Sequence, residues 1–215
     1  MNLRHLMIAS LLLFAVVQVN AASDDGLMKS PIDLTLQQCG LRKGDIRDVL
    51  DILQVNGLKV GWENVDFKSV LGVTLTRYAA FKPDSATAKE FLDQVCPQMW
   101  FQYQVSKNVI NLIPAEAKSI LSYPLEAKVG AMHIKATGEE IVGEISKKSG
   151  IVLAQFSFSQ STAFSDRVPE FKVQEGATVR EALNELLCVT NRSHWSANIG
   201  KIQGHQIVTI AFVKR

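Results

Sequence analysis

The sequence predicts an α+β protein of two tandem small domains, and three observations carry that expectation. Phe81-Lys82 and Phe171-Lys172 each lead into a matching helical phrase, Ala86-Thr87-Ala88-Lys89-Glu90-Phe91-Leu92 and Ala177-Thr178-Val179-Arg180-Glu181-Ala182-Leu183. Gly57 and Gly150 stand 93 residues apart, as do Pro31-Ile32-Asp33-Leu34 and Pro124-Leu125-Glu126-Ala127. In each half, period-two alternation is interleaved with apolar stripes at three- and four-residue steps, so each unit reads β-α-β-β-α-β-β, two helices on a short mixed sheet. A period of about ninety residues is too long for a solenoid repeat and suits a domain with its own core. The expected units are residues 31–113 and 123–213, joined by a linker at 114–122 and able to fold separately.

In the first unit Ile32, Leu34 and Leu36 alternate with Asp33, Thr35 and Gln37 as in a half-buried strand. Asp45 then caps a helix whose stripe is Ile46, Val49, Leu50 and Leu53, and Asn56-Gly57 ends it because Gly takes the left-handed conformation without steric cost. Leu58, Val60 and Trp62 resume alternation. Val70 to Phe81 is strand-like, and Pro83-Asp84-Ser85 breaks it before a helix carrying Phe91, Leu92, Val95 and Cys96, which Pro97 should stop. Phe101, Tyr103 and Val105 form a strand that turns at Ser106-Lys107-Asn108 and returns through Val109 to Ile113.

The second unit repeats this order. Its expected opening strand is Leu125 to Val129, and its first helix carries Ile141, Val142 and Ile145 and stops at Ser149-Gly150. Strands over Leu153–Phe158 and Glu170–Val173 flank a polar insertion, Ser159 to Asp166. The next helix carries Val179, Ala182, Leu183, Leu186 and Leu187, and a hairpin of His194–Ile199 with His205–Phe212 closes the chain.

The termini and composition narrow the functional classes. Met1 to His5 carry one Arg, Leu6 to Val19 is an apolar run of 14 residues, and Val19-Asn20-Ala21 supplies small residues for cleavage. This pattern is expected to be a secretory signal peptide over residues 1–21. The run is short of the roughly 20 residues a spanning helix needs, and the expected product is a soluble secreted protein, most readily placed in a bacterial periplasm. The chain has 23 basic and 21 acidic residues, and losing Arg4 with the leader leaves a net charge of +1. No basic face for nucleic acid is expected at that balance. Three cysteines enter an oxidising compartment; Cys39 and Cys96 fall in one unit and are a candidate disulfide, while Cys96 and Cys188 also suit the role of buried thiols.

The strand Ile32-Asp33-Leu34-Thr35-Leu36-Gln37, the helix Ile46 to Leu53 and Gly57-Leu58-Lys59-Val60 together resemble the short N-terminal domain of secretins and TonB-dependent receptors. Phe171-Lys172-Val173, Thr178 to Leu187 and Ile207-Val208-Thr209-Ile210 are similar to the later half of that domain. Both units depart from its pattern by extra residues before the first helix, Cys39 to Gly44 and Met132 to Thr137. The resemblance implies a periplasmic module that docks other proteins, and it brings no catalytic residues.

A search for chemistry agrees with a non-enzymatic reading. His133, His194 and His205 are expected at separate places, with His194 facing about Ile210 and His205 about Ile199 across the hairpin. Asp48 with Asp51 and Glu181 with Glu185 lie at helical spacing beside Arg47, Arg180, Lys89 and Lys147, as solvated charged faces do. No phosphate loop, nucleophile elbow or Cys-X-X-Cys occurs, so no cofactor and no metal is expected. Trp62, Trp100 and Trp195 are expected mainly in the core. A sheet edge is the expected working surface, beside a loop of Ser159, Gln160, Ser161, Thr162, Ala163, Phe164 and Ser165. The expected partners are envelope proteins of a secretion or uptake assembly; the alternative is a small-molecule or glycan binder using the cleft between the units.

Overall fold

The computed structural model describes residues 25–34, 43–65, 78–80, 87–120, 122–155, 167–202 and 205–213. Four helices are started by one device. Asp45 caps α1 (Ile46–Val55), Thr87 caps α2 (Ala88–Met99), Thr137 caps α3 (Gly138–Ser149) and Thr178 caps α4 (Val179–Val189). In each a capping box is closed, the third helical residue (Asp48, Glu90, Glu140 or Glu181) reaching back to the N-cap amide and satisfying a donor that the helix cannot. Gly57 and Gly150, at φ 84° and 70°, carry the chain out of α1 and α3 in the left-handed conformation that favours glycine.

Among the described residues six strands make the main sheet, in the order β4 (Phe101–Ser106), β5 (Val109–Pro114), β2 (Val60–Val65), β11 (His194–Ile202), β12 (His205–Val213) and β8 (Leu153–Gln155). The first half supplies β2, β4 and β5. The second supplies β8, β11 and β12. Within each half the last two strands form a hairpin, and the strand after the first helix runs parallel to the hairpin's second arm. The α+β class therefore holds, but the expected pair of short sheets is one sheet. Parallel pairing of β2 with β11, from Val60 opposite His194 to Val65 opposite Ile199, runs it through both halves.

Because β11 aligns with β2 while its counterpart β4 opposes β2, the second half enters the sheet reversed, and its helices cover the opposite face. Val60, Ile110 and Leu112 turn toward α1 and α2, packing with Leu53, Phe91 and Val95. Val65, Val109 and Ile113 of the same strands turn the other way and pack with α3, α4 and Trp195. The second core is thus partly built from first-half residues. Gly61 makes room for this: a Cβ there would lie 2.4 Å from the Trp195 ring.

Short ribbons flank the sheet. β1 (Lys43–Gly44) pairs with β3 (Ala79–Ala80), β6 (Lys128–Val129) with β10 (Ala177–Thr178), and β7 (Met132–Thr137) with β9 (Arg167–Val173). Residues 132–137 and 43–44, expected to be extra connections, are therefore paired strands. The expected strand at Leu125 is a 3₁₀ turn, Pro124–Glu126, leaving only Lys128–Val129 extended. Leu34 is likewise in a 3₁₀ turn, and Pro31 makes a single bridge to Thr87; the rest of that expected strand lies outside the described residues. The bonds Ala88 N–H to Ser30 O and Val179 N–H to Ala127 O match, so the upstream segments correspond at a wider spacing than Pro31 and Pro124 suggest. Pro97 does not stop α2, which continues to Met99, although proline has no amide to donate to the carbonyl four residues back. The linker is not extended, since Ala115–Ser119 forms a 3₁₀ turn with Ala117 buried.

Candidate functional site

The seam between the halves is built on α4. Its apolar side, with Leu183, Leu186 and Leu187, packs into the second core, while Arg180 and Asn184, one turn apart, face the first half's strands. Arg180 is 2% exposed, so the expected solvated face is instead a buried one. Its Nε donates to Glu63 Oε1, its Nη2 donates to Glu63 Oε2 at 3.1 Å, and its Nη1 donates to Glu126. The Tyr123 hydroxyl donates to Glu63 Oε2 at 2.8 Å. Burial pushes the Glu63 carboxyl up, and the hydrogen bonds and charge of Arg180 oppose it. Burial pushes the Tyr123 hydroxyl up as well, aided by Glu63. With both carboxylate oxygens occupied by partners, Glu63 is a structural tie.

Asn184 completes the seam. Its Oδ1 accepts from Trp195 Nε1 at 2.8 Å and its Nδ2 donates to Ser106 O at 3.4 Å. Farther along, Lys107 pairs with Glu185 at 2.6 Å. On the opposite face, Gln54 of α1 reaches His194 Nδ1 at 2.7 Å, and burial depresses this imidazole to about 4.

A cleft of about 770 Å³ opens beside the Glu63 cluster, on the face of β4 and β5 that α4 leaves uncovered. Gln102, Gln104 and Ile113 line one wall; Tyr123, Glu126 and Arg180 line the other. Its only buried cation, Arg180, is already engaged by two carboxylates, and no cluster of metal-binding side chains occurs among the described residues.

β4 is the outer strand beside this cleft. Lys107 and Asn108, at φ 55° and 58°, make a two-residue turn, which places Ser106 and Val109 in a hydrogen-bonded pair. Ile110, opposite Val105, directs its amide away from β4 to Lys59 O. By alternation, the peptide groups of Phe101, Tyr103 and Val105 point outward, away from β5. No residue of β4 is charged and none is proline, whereas β9 carries Arg167, Pro169, Glu170 and Lys172. Lysine and proline are the usual guards of a sheet edge. Trp100 precedes β4 in the left-handed conformation and is 56% exposed, against the expectation of a core tryptophan, while Trp195 is fully buried.

The structure scatters the other singled-out residues. Cys96 is a buried free thiol that burial pushes up to about 12, Cys188 is a partly buried one, and Cys39 lies outside the described residues. Ser159, Gln160, Ser161, Thr162, Ala163, Phe164 and Ser165 also lie outside them, as does the signal-peptide segment 1–21. His133 pairs with Glu170 on the β7–β9 ribbon, and His194 and His205 stand opposite Val213 and Ile202, three residues from the expected register because β11 runs on to Ile202, past its expected end at Ile199. Asp48 and Glu181 serve the capping boxes. The signal for β4 lay in Phe101 to Ser106 itself, which lacks charge; its position at the outside of the sheet did not.

Comparisons with protein-family models, with curated proteins and with solved structures find no match to this chain.

Proposed function

We propose that the protein is a secreted, periplasmic, non-enzymatic adaptor that binds an extended segment of an envelope protein by strand addition to β4. The observation that carries this reading is the edge itself: outward peptide groups at Phe101, Tyr103 and Val105 in a regular strand without charge or proline. Backbone bonds to such an edge provide affinity, and side chains on its two faces provide selectivity. The exposed Trp100 at its start adds an aromatic anchor of the kind enriched at interfaces. The resemblance to short N-terminal domains of secretins and TonB-dependent receptors, and the reading of residues 1–21 as a leader, belong to the same proposal.

The test places a photo-crosslinking residue at Gln104 in intact cells, with and without Val105→Pro. That proline removes an outward amide and leaves the bonds between β4 and β5. A crosslinked envelope protein lost with Val105→Pro supports the reading; crosslinks that persist unchanged refute strand addition. A mature protein still beginning at Met1 would refute the leader.

The cleft favours a second reading, a small-molecule or glycan binder using the junction of the halves, because residues of both line its walls. Thermal stabilisation by a sugar or metabolite, lost on Gln102→Ala, would select this reading over the first.

A further inference from the structure

We infer that the β4 edge also accepts a second copy of this chain, antiparallel and centred on Tyr103, so that two six-stranded sheets join across a two-fold axis. This rests on the reading of β4 as an edge that accepts a strand, and it names the occupant of that edge when no other partner is bound.

The argument is the self-complementarity of the strand. Centred on Tyr103, antiparallel pairing sets Phe101 opposite Val105 of the second copy, Gln102 opposite Gln104, Tyr103 opposite Tyr103 and Trp100 opposite Ser106. Phe101, Tyr103 and Val105 are the residues whose peptide groups point outward, so the pairs they form are the hydrogen-bonded ones. Their side chains share the face toward α2, where they already pack as partly buried hydrophobics against the first half's core. Opposite-strand aromatic and β-branched pairs stabilise such a ladder. On the other face, amide meets amide at Gln102 and Gln104.

A two-fold contact sets the same strand on both sides, so charges of one sign on it would face each other and repel; β4 contains none. The cation next to it in sequence, Lys107, is held by Glu185 of its own chain at 2.6 Å, and Lys89, which stands beside the Tyr103 hydroxyl, is paired with Asp93. Tyr103 is held in place by donating to Asp93 of α2, so the central residue of the contact is already ordered. At the other end of the sheet β8 offers only Leu153–Gln155 as described strand. A contact through β4 uses one edge per chain and closes on itself as a dimer.

The experiment is analytical ultracentrifugation of the purified protein from micromolar to millimolar concentration. The wild type is expected to be a concentration-dependent dimer, with Val105→Pro weakening it at least tenfold. Gln102→Lys with Gln104→Lys in one chain, and Gln102→Glu with Gln104→Glu in another, should each be monomeric where the wild type is dimeric, and should form a heterodimer when mixed. These side chains lie on the cleft face, so the charge pair carries the test even if the proline variant unfolds. A monomeric wild type throughout, or a dimer indifferent to both charged variants, overturns the inference. If a monomeric wild type still crosslinks to an envelope protein through Gln104, the second copy is excluded and the adaptor reading stands. A dimer that both charged variants disrupt, with no such crosslink in cells, supports the inference and removes the adaptor.

Discussion

Helices α2 and α4 occupy corresponding places in the two halves, begin with the same Thr-x-x-Glu box and carry similar apolar stripes, yet only one is enclosed. On α2, Lys89 and Asp93 pair with each other in solvent at i, i+4. At the matching positions of α4, Arg180 and Asn184 are buried against β2, β4 and Trp195. The same face of the same helix is thus a solvated surface in one half and the seam of the molecule in the other. What differs is the neighbour: the reversed second half lays α4 over first-half strands, while among the described residues nothing is laid over the outer face of α2. The lesson is that a charged residue at a helical surface position reports its burial only after the sheet has been assembled.

The sharpest way to break this comparison is Arg180→Ala. It strands Glu63 in the core, and about 3 to 5 kcal/mol of stability should be lost in urea denaturation, whereas Lys89→Ala should cost below about 0.5 kcal/mol. Equal losses would mean the seam is not what α4 contributes. Next, Gly61→Ala forces a methyl into the Trp195 ring and should cost about 1 to 3 kcal/mol. A shift in near-ultraviolet circular dichroism of the buried indole would accompany it.

The His194 contact across the seam predicts a pH dependence. Its folded pKa of about 4 lies below the ordinary 6.5 because burial favours the neutral ring. The unfolded chain therefore takes up a proton at higher pH than the folded one. Stability should fall as pH drops from about 6.5 to about 4, by about 2 kcal/mol for this residue after allowing for its partial exposure. Denaturation midpoints of wild type and His194→Asn should converge over that range. A smaller effect should fall on the features the halves share: Thr87→Ala and Thr178→Ala should each cost about 1 kcal/mol, and nearly the same. A much larger loss at Thr178 would show that the seam reaches into the cap.

Local chemistry alone determined much of this protein. Asp45, the stripe from Ile46 to Leu53 and the stop at Asn56-Gly57 specify α1 within a few residues, because caps, periodicity and glycine conformations are decided by near neighbours. The hairpin at Lys107-Asn108 and the α+β class were legible for the same reason. Short ribbons such as β7 with β9 were not, since their pairing depends on segments far apart in sequence. Nor was the candidate site: nothing in Phe101 to Ser106 says that β4 lies outside and β2 inside. Only the tertiary structure decided that β2 pairs with β11, that Arg180 and Glu63 meet, and that β4 keeps an edge. Strand neighbours are chosen by long-range hydrogen bonding and by which apolar faces can be covered together, and a single sequence read locally contains neither.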